Sequence, residues 1–471
     1  MPGLRSFITL VLWCVLVLPG LAGGAVRAKD MGPLQKLIDA AEKNAVIVLE
    51  PGTYSGPAVV TRPLTIDGRG KATIDGGGKG TVIILKTNGA TLKNLRLVNS
   101  GDQHNDLDAG VQVRGDFNVV KDNVIEECLF GVDLQQSSNN VVRRNHISSK
   151  SDAELGVKGD AIRLWYSRNN KIVDNIITHS RDLVVWYSAD NIISGNRVSD
   201  GRYGLHFMYS RYNLVENNQF WRNLVGIFLM YSDSVVVRKN RVFRAQGPAG
   251  VGIGFKEASN MEITDNEILY NSTGLYLDVS PFQPDTTNRI YRNTIAFNDT
   301  GAKFLNDWTG NHFTDNVFSN NIRHVSVSTF ASAKRNIWKA NYWDDYEGFD
   351  QDKDGYGDKP YRLMVYADRI WMDVPDAAFF KGTPILSLFD FMERLAPFTS
   401  PLLMLEDKEP RMARNFTPIT AAPTGGETNE GKSLEVFGAN TDASTKAGTS
   451  MSKSDPFGLH DPNIGYLKKP K

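Results

Sequence analysis

Four short phrases near the middle of the chain read almost alike: Leu164-Trp165-Tyr166-Ser167, Val185-Trp186-Tyr187-Ser188, Phe207-Met208-Tyr209-Ser210 and Leu229-Met230-Tyr231-Ser232. Their spacings of 21, 22 and 22 residues stack them in register if the chain repeats at that period. Strand alternation then turns Ile162, Leu164, Leu183, Val185, Leu205, Phe207, Ile227 and Leu229 inward. Trp165, Trp186, Met208 and Met230 form an outward column, with Arg163, Val184, His206 and Phe228 in the column beside it. Large aromatic and thioether groups on an outer face are either covered by another segment or used for binding. Met208 and Met230 lie one repeat apart and His206 two residues before Met208. Two thioethers and an imidazole suit soft, monovalent copper, although both residue types also serve as plain packing.

The same face supports a second chemistry. Trp165 and Trp186 could stack on sugar rings, Arg163 could pair with a uronate carboxylate, and His206 or Asp133 could move a proton, which together describe a polysaccharide lyase or C-5 epimerase. Against this, no outward strand carries the close carboxylate pair that glycoside hydrolysis uses, and no Gly-His-Gly or Asp-Pro-His-Asp motif occurs. A separate acidic run sets Asp350, Asp352, Asp354 and Asp358 around Gly355, the spacing of a calcium loop. Its twelfth position is Tyr361 rather than a bidentate Glu. A calcium ion here would be structural, and a solvated Asp/Gly turn is the plainer reading.

The elements that carry these groups follow from a longer repeat. Asn occurs at 123, 145, 175, 196, 218, 240, 266, 293, 316 and 341, each with an apolar or aromatic residue three before and two after. The steps run from 21 to 30 residues, a period that means stacked supersecondary units. A leucine-rich horseshoe has coils of similar length but needs a Leu-x-x-Leu-x-Leu frame. Here the apolar positions are β-branched or aromatic and alternate with polar residues, which predicts short strands and an all-β, right-handed parallel β-helix. The repeated Asn is expected to sit at a turn, tolerate left-handed backbone and stack its amide on the next coil's. Gly131, Gly204, Gly226, Gly274 and Gly301, each eight residues after such an Asn, are expected at tight corners.

With 53 basic and 53 acidic side chains in 471 residues, no charge bias points to nucleic acid. Arg5, the apolar run Phe7–Leu18 and the small residues Ala22 to Ala25 have the layout of a secretory signal, with cleavage expected after Ala25 or Ala28; a retained anchor is the alternative. The mature chain would keep Cys128 alone, which rules out an internal disulfide and Cys-rich metal sites. The expected organisation is a signal at 1–28, a capped N-terminal start of the solenoid at 29–117 opening with a helix over Leu34–Ala41, and regular coils at 118–343. A terminal cap follows at 344–410, with the acidic loop and an amphipathic helix over Pro384–Leu395. A disordered tail, poor in apolar residues, spans 411–471.

The run Asn341-Tyr342-Trp343-Asp344-Asp345-Tyr346, the acidic loop with Lys359-Pro360-Tyr361-Arg362, and the stretch from Phe379-Phe380 through Phe389-Asp390-Phe391-Met392-Glu393-Arg394-Leu395-Ala396-Pro397-Phe398 resemble the C-terminal signature of the NosD family. The likeness covers roughly residues 30–410, its coils being generic to pectin-lyase-like solenoids and its C-terminal signature more specific. The resemblance implies a periplasmic, non-enzymatic factor for assembling the copper–sulfide centre of nitrous oxide reductase. It implies partnership with the ATPase and permease subunits of an ABC transporter, copper supply from a small lipoprotein chaperone, and transient Cu(I) as cargo. It assigns no copper ligands residue by residue. A scaffold that never touches metal is compatible with the same role.

Overall fold

The computed structural model describes residues 29–328, 332–365, 383–395 and 402–414. The signal segment, Phe379, Phe380, Ala396 to Phe398 and the chain from 415 onward lie outside them. Almost every strand is parallel, and successive coils pair face to face to give the expected β-helix. One face is a 12-stranded sheet running from Ala58–Val60 to Arg323–Val327. The other two faces join into a single 25-stranded sheet because Thr65–Asp75 and Thr91–Val98 continue around the corner between them. At the N-terminal end the helix Leu34–Ala40 buries Leu34 and Ile38 on the first coil. The Arg62 guanidinium donates to the carbonyls of Ile38, Asp39 and Ala41, satisfying the helix end.

The repeated Asn builds the corner of the 25-stranded sheet, in a different way from the expectation. The left-handed residue is the one before it: Asp122, Arg144, Asp174, Gly195, Asn217, Lys239, Asp265, Arg292, Asp315 and Ala340 all have φ between 51° and 68°. That geometry turns the Asn side chain into the coil, where all ten are at most 1% exposed. From Asn145 on, each Asn Oδ1 accepts from both the backbone N–H and the Nδ2 of the Asn one coil earlier, as Asn218 does from Asn196 at 2.8 and 3.0 Å. Each Nδ2 from Asn145 on also donates to the carbonyl of the apolar residue three before the preceding Asn, as Asn218 does to Ile193. Every buried polar atom at the corner is thereby paired.

Asn218→Ala would leave the Asn196 N–H without its acceptor and take one partner each from Asn196 Nδ2, the Ile193 carbonyl and Asn240 Oδ1, so a loss of about 3 kcal/mol is expected. Urea unfolding of the variant checks it.

The glycines of the 12-stranded sheet answer a close approach. A Cβ on Gly204, Gly226, Gly252, Gly274 or Gly301 would lie 2.6–2.7 Å from the next coil's carbonyl oxygen. The core beneath is a stack of Val185, Phe207, Leu229, Phe255, Leu277 and Phe304, all at most 2% exposed.

A candidate soft-metal face on the twelve-stranded sheet

Strands Ile162–Trp165, Asp182–Trp186, Tyr203–Met208 and Val225–Met230 are neighbours in the 12-stranded sheet. Their register pairs Trp165 with Trp186, Trp186 with Met208 and Met208 with Met230, and likewise Arg163, Val184, His206 and Phe228. The repeated Tyr after each column residue is left-handed, φ 49–51°, and Tyr166, Tyr187, Tyr209 and Tyr231 stack ring on ring at 4.9–5.1 Å. The following Ser turns back inside, each Oγ accepting from the previous coil's Ser N–H. The whole repeated phrase is therefore a column residue, a turn and a ladder.

Within this face the imidazole and one thioether meet. His206 Nε2 lies 3.2 Å from Met230 Sδ. Met208, the register neighbour of Met230, is half-buried beside them. Tyr203 stacks on the imidazole at 4.6 Å, and Trp186 stands edge-on to it at 5.6 Å and 89°. Although the strand parity of His206 is outward, these rings enclose it and only 5% of it is exposed. Burial pushes its pKa down to about 4, with the Asp182 carboxylate opposing, so the ring is neutral at neutral pH. Its Nδ1 is closed to solvent and has no partner, as is Trp186 Nε1. Tyr203 is itself held from behind: its N–H donates to Asp182, whose carboxylate is gripped by Arg202, and the Arg202 guanidinium lies 5.0 Å from the Tyr203 ring. A neutral imidazole beside two thioethers, with no free carboxylate, is a donor set for a soft cation.

Other residues of the column are occupied differently. Arg163 is joined to the fully buried Asp133 at 3.0 Å, and Arg114 holds the other Asp133 oxygen at 2.7 Å. The Arg163 guanidinium also covers Trp165 at 4.5 Å. Phe228 packs over Gly254, whose hydrogen leaves room that a Cβ would fill, and toward Tyr203 and Tyr276.

In the acidic loop Asp350, Asp352 and Asp354 bring carboxylate oxygens within 4.8 Å of one another. Asp358 stands apart from that group and accepts from the Gln351 N–H. Asp350 accepts from the N–H groups of Asp354 and Gly355, and Asp354 from Tyr356, so the loop is also a chain of side-chain turns. The helix Pro384–Leu395 forms as expected, with Ile385, Leu388, Phe391 and Leu395 exposed.

Sequence reasoning missed a second cluster. His324 Nε2 lies 2.9 Å from Asp344 and 3.3 Å from Asp345. The adjacent Asn321 is fixed by its ladder, with Oδ1 accepting from Asn298 and Nδ2 donating to Ile295, so it turns an N–H toward His324 Nδ1 at 3.4 Å. His324 Nε2–H is thereby placed to donate to the two carboxylates, an ion-pair clamp when the ring is protonated.

The two carboxylates overcome the burial of His324 and raise its pKa to about 9, while His324 lowers Asp344 to about 2. A histidine whose folded pKa is raised stabilises the fold fully below its unfolded value near 6.5. That contribution fades as pH rises through about 9. Wild-type stability is therefore expected to fall by on the order of 2 kcal/mol between pH 6.5 and 9.5, and the His324→Gln variant to lose this slope. Urea melts across that range decide it.

A family model described as periplasmic copper-binding protein (NosD) matches residues 149–348, the stretch that holds both the Trp/Met column and the His324 clamp. Over that stretch the chain is similar to the NosD family. A second model, for a right-handed β-helix region, matches residues 70–185. A Pseudomonas aeruginosa protein named probable ABC transporter binding protein NosD is 28% identical over 456 residues, covering 84% of this chain and 96% of that one. Both NosD descriptions are of binding proteins, the non-enzymatic class expected from the sequence. Among solved structures, the A-module of the Azotobacter vinelandii mannuronan C-5 epimerase AlgE6 aligns over 64% of this chain and 93% of its own, at 15% identity and a TM-score of 0.44. A PL6 alginate lyase in complex with a trisaccharide aligns over 65% and 89%, at 16% identity and the same TM-score. At that distance neither bears on what this chain does. No helix among the described residues is long and apolar enough to cross a membrane.

Proposed function

We propose that this chain is a periplasmic accessory protein of the nitrous oxide reductase system that holds Cu(I) at Met208, Met230 and His206 while passing it on, in association with an ABC transporter. The observation that carries the reading is the 3.2 Å approach of a buried, neutral imidazole to a thioether, with a second thioether one coil away. Copper in the description of the matching family and the transporter in the relative's name support it. A lipoprotein chaperone as donor and the reductase as recipient complete the proposal. The calcium reading is kept for Asp350, Asp352 and Asp354, as a structural site.

The face handles the ion by exclusion and softness. Tyr203 and Trp186 keep water from the imidazole, while sulfur donors hold a monovalent ion without the charge that would fix it permanently. The uronate reading loses its parts here, because the Arg163 cation is spent on one Asp133 oxygen and Arg114 on the other.

An anaerobic Cu(I) titration of the mature chain against a chromogenic chelator, with uronate polymers assayed in parallel, tests the function. Tight copper binding without sugar turnover is expected. Absence of copper binding would leave a metal-free scaffold, and product release from a polymer would favour the lyase or epimerase.

A further inference from the structure

Two tryptophans occupy consecutive rungs of one column, yet their surroundings differ. Trp165 already has a cation over its ring, the Arg163 guanidinium at 4.5 Å. Trp186 has none among the described residues. Its neighbour is the enclosed His206, met at 89°, and its register partner is Met208. Trp186 Nε1 and His206 Nδ1 are both buried without a hydrogen-bond partner. Leaving such groups unmatched costs stability, which a purely structural patch would avoid by carrying apolar side chains. The Trp186 ring, the two thioethers and the imidazole are thus gathered where the fold gains least from them.

The charges around the pocket narrow what can enter. Carboxylates on this face are already held by cations, Asp133 by Arg114 and Arg163, Asp182 by Arg202 and Asp278 by Lys256. Divalent ions of the first transition row and of the alkaline earths draw on carboxylate, carbonyl or several imidazoles, none of which is offered here. A monovalent soft ion needs only the thioethers and one imidazole, and its remaining open side is satisfied by the face of an indole through a cation–π contact.

We infer that Trp186 closes the site at His206, Met208 and Met230, and that the closed site admits monovalent soft cations, Cu(I) and its redox-inert counterpart Ag(I), to the exclusion of Cu(II) and Zn(II). This rests on the copper reading above and extends it to a fourth group and to selectivity.

The test titrates the full mature chain with Ag(I), Cu(I), Cu(II) and Zn(II), reading affinity by chelator competition and indole fluorescence in parallel. Wild type is expected to bind Ag(I) and Cu(I) with quenching that saturates at one ion per site. Trp186→Leu should bind both at least ten-fold more weakly. Trp186→Phe, which keeps a weaker ring face and the packing, should fall between the two and lose most of the quenching. Trp221→Phe, on another face of the solenoid, should change neither. A thermal melt of each variant separates lost binding from lost folding, and the Phe variant carries the result if the Leu variant does not fold.

Wild-type affinity in both Trp186 variants would overturn the closure while leaving the copper reading standing. Zn(II) or Cu(II) bound as tightly as Cu(I) would overturn the selectivity. No binding of Ag(I) or Cu(I) to wild type would bring down the copper reading itself, and the inference with it.

Discussion

Replacing Met208 and Met230 together by Leu is expected to weaken Cu(I) binding at least a hundred-fold while leaving the fold intact. Losing one outer partner of a metal ligand already costs about 10–100-fold in affinity, so losing two ligands outright should exceed that range. Leu conserves volume, and Met-to-Leu exchange at half-buried positions costs less than about 1.5 kcal/mol. Chelator competition reads the affinity, and urea unfolding reads the fold. Unchanged copper affinity in a folded double variant would remove the site from these residues. The prediction is specific because neighbouring rungs supply no substitute: the register continues from Met208 and Met230 to Lys256, and back to Trp186.

The second large effect lies at the end of the solenoid. The Asn ladder finishes at Asn341, and no further Asn follows to accept its donors. Asp407 does so instead, from 66 residues away: its Oδ2 accepts from the Asn341 N–H at 3.0 Å, from Asn341 Nδ2 at 2.9 Å and from Trp343 Nε1 at 3.2 Å. Its Oδ1 takes the N–H groups of Ala340 and Glu409. Asp407 is fully buried.

Asp407→Ala should therefore cost about 3 kcal/mol, since five N–H donors lose their acceptor and a buried donor left unmatched costs about 1–3 kcal/mol. Asp407→Asn keeps an acceptor facing Asn341 and Trp343 but turns its NH2 toward the Ala340 and Glu409 N–H groups, so it should recover part of that loss. Urea unfolding of the two variants tests the pair. Equal destabilisation by Ala and Asn would mean that the charge, not the ladder geometry, closes the coil.

Much of this was written in the chain. The ten Asn residues, their flanking apolar positions and the spacing of the repeated phrases gave the coils, and two-residue alternation put Trp165, Trp186, Met208 and Met230 in one column in the right register. What failed was local. Left-handed backbone was expected at the Asn itself, but it falls one residue earlier, because the amide is worth more buried between coils than spent in its own turn.

What stayed hidden depends on distant chain. Arg163 reads as a free cation in sequence, yet the 30-residue coil step sets it beside Asp133, and the corner brings Arg114 to the same carboxylate. Asp344 and Asp345 read as part of a signature, and only the closing of the last coil brings them onto His324. Asp407 carries no local mark at all, since its role is defined by donors that the ladder leaves over.

The central claim is that a monovalent copper ion sits between sulfur and imidazole on this face. X-ray absorption at the copper edge of the Cu(I)-loaded mature chain tests it directly. The account predicts a Cu(I) edge with mixed sulfur and nitrogen scattering, and loss of the sulfur shell in the Met208→Leu, Met230→Leu variant. A shell of oxygen and nitrogen alone, or a sulfur shell that survives both substitutions, would contradict it.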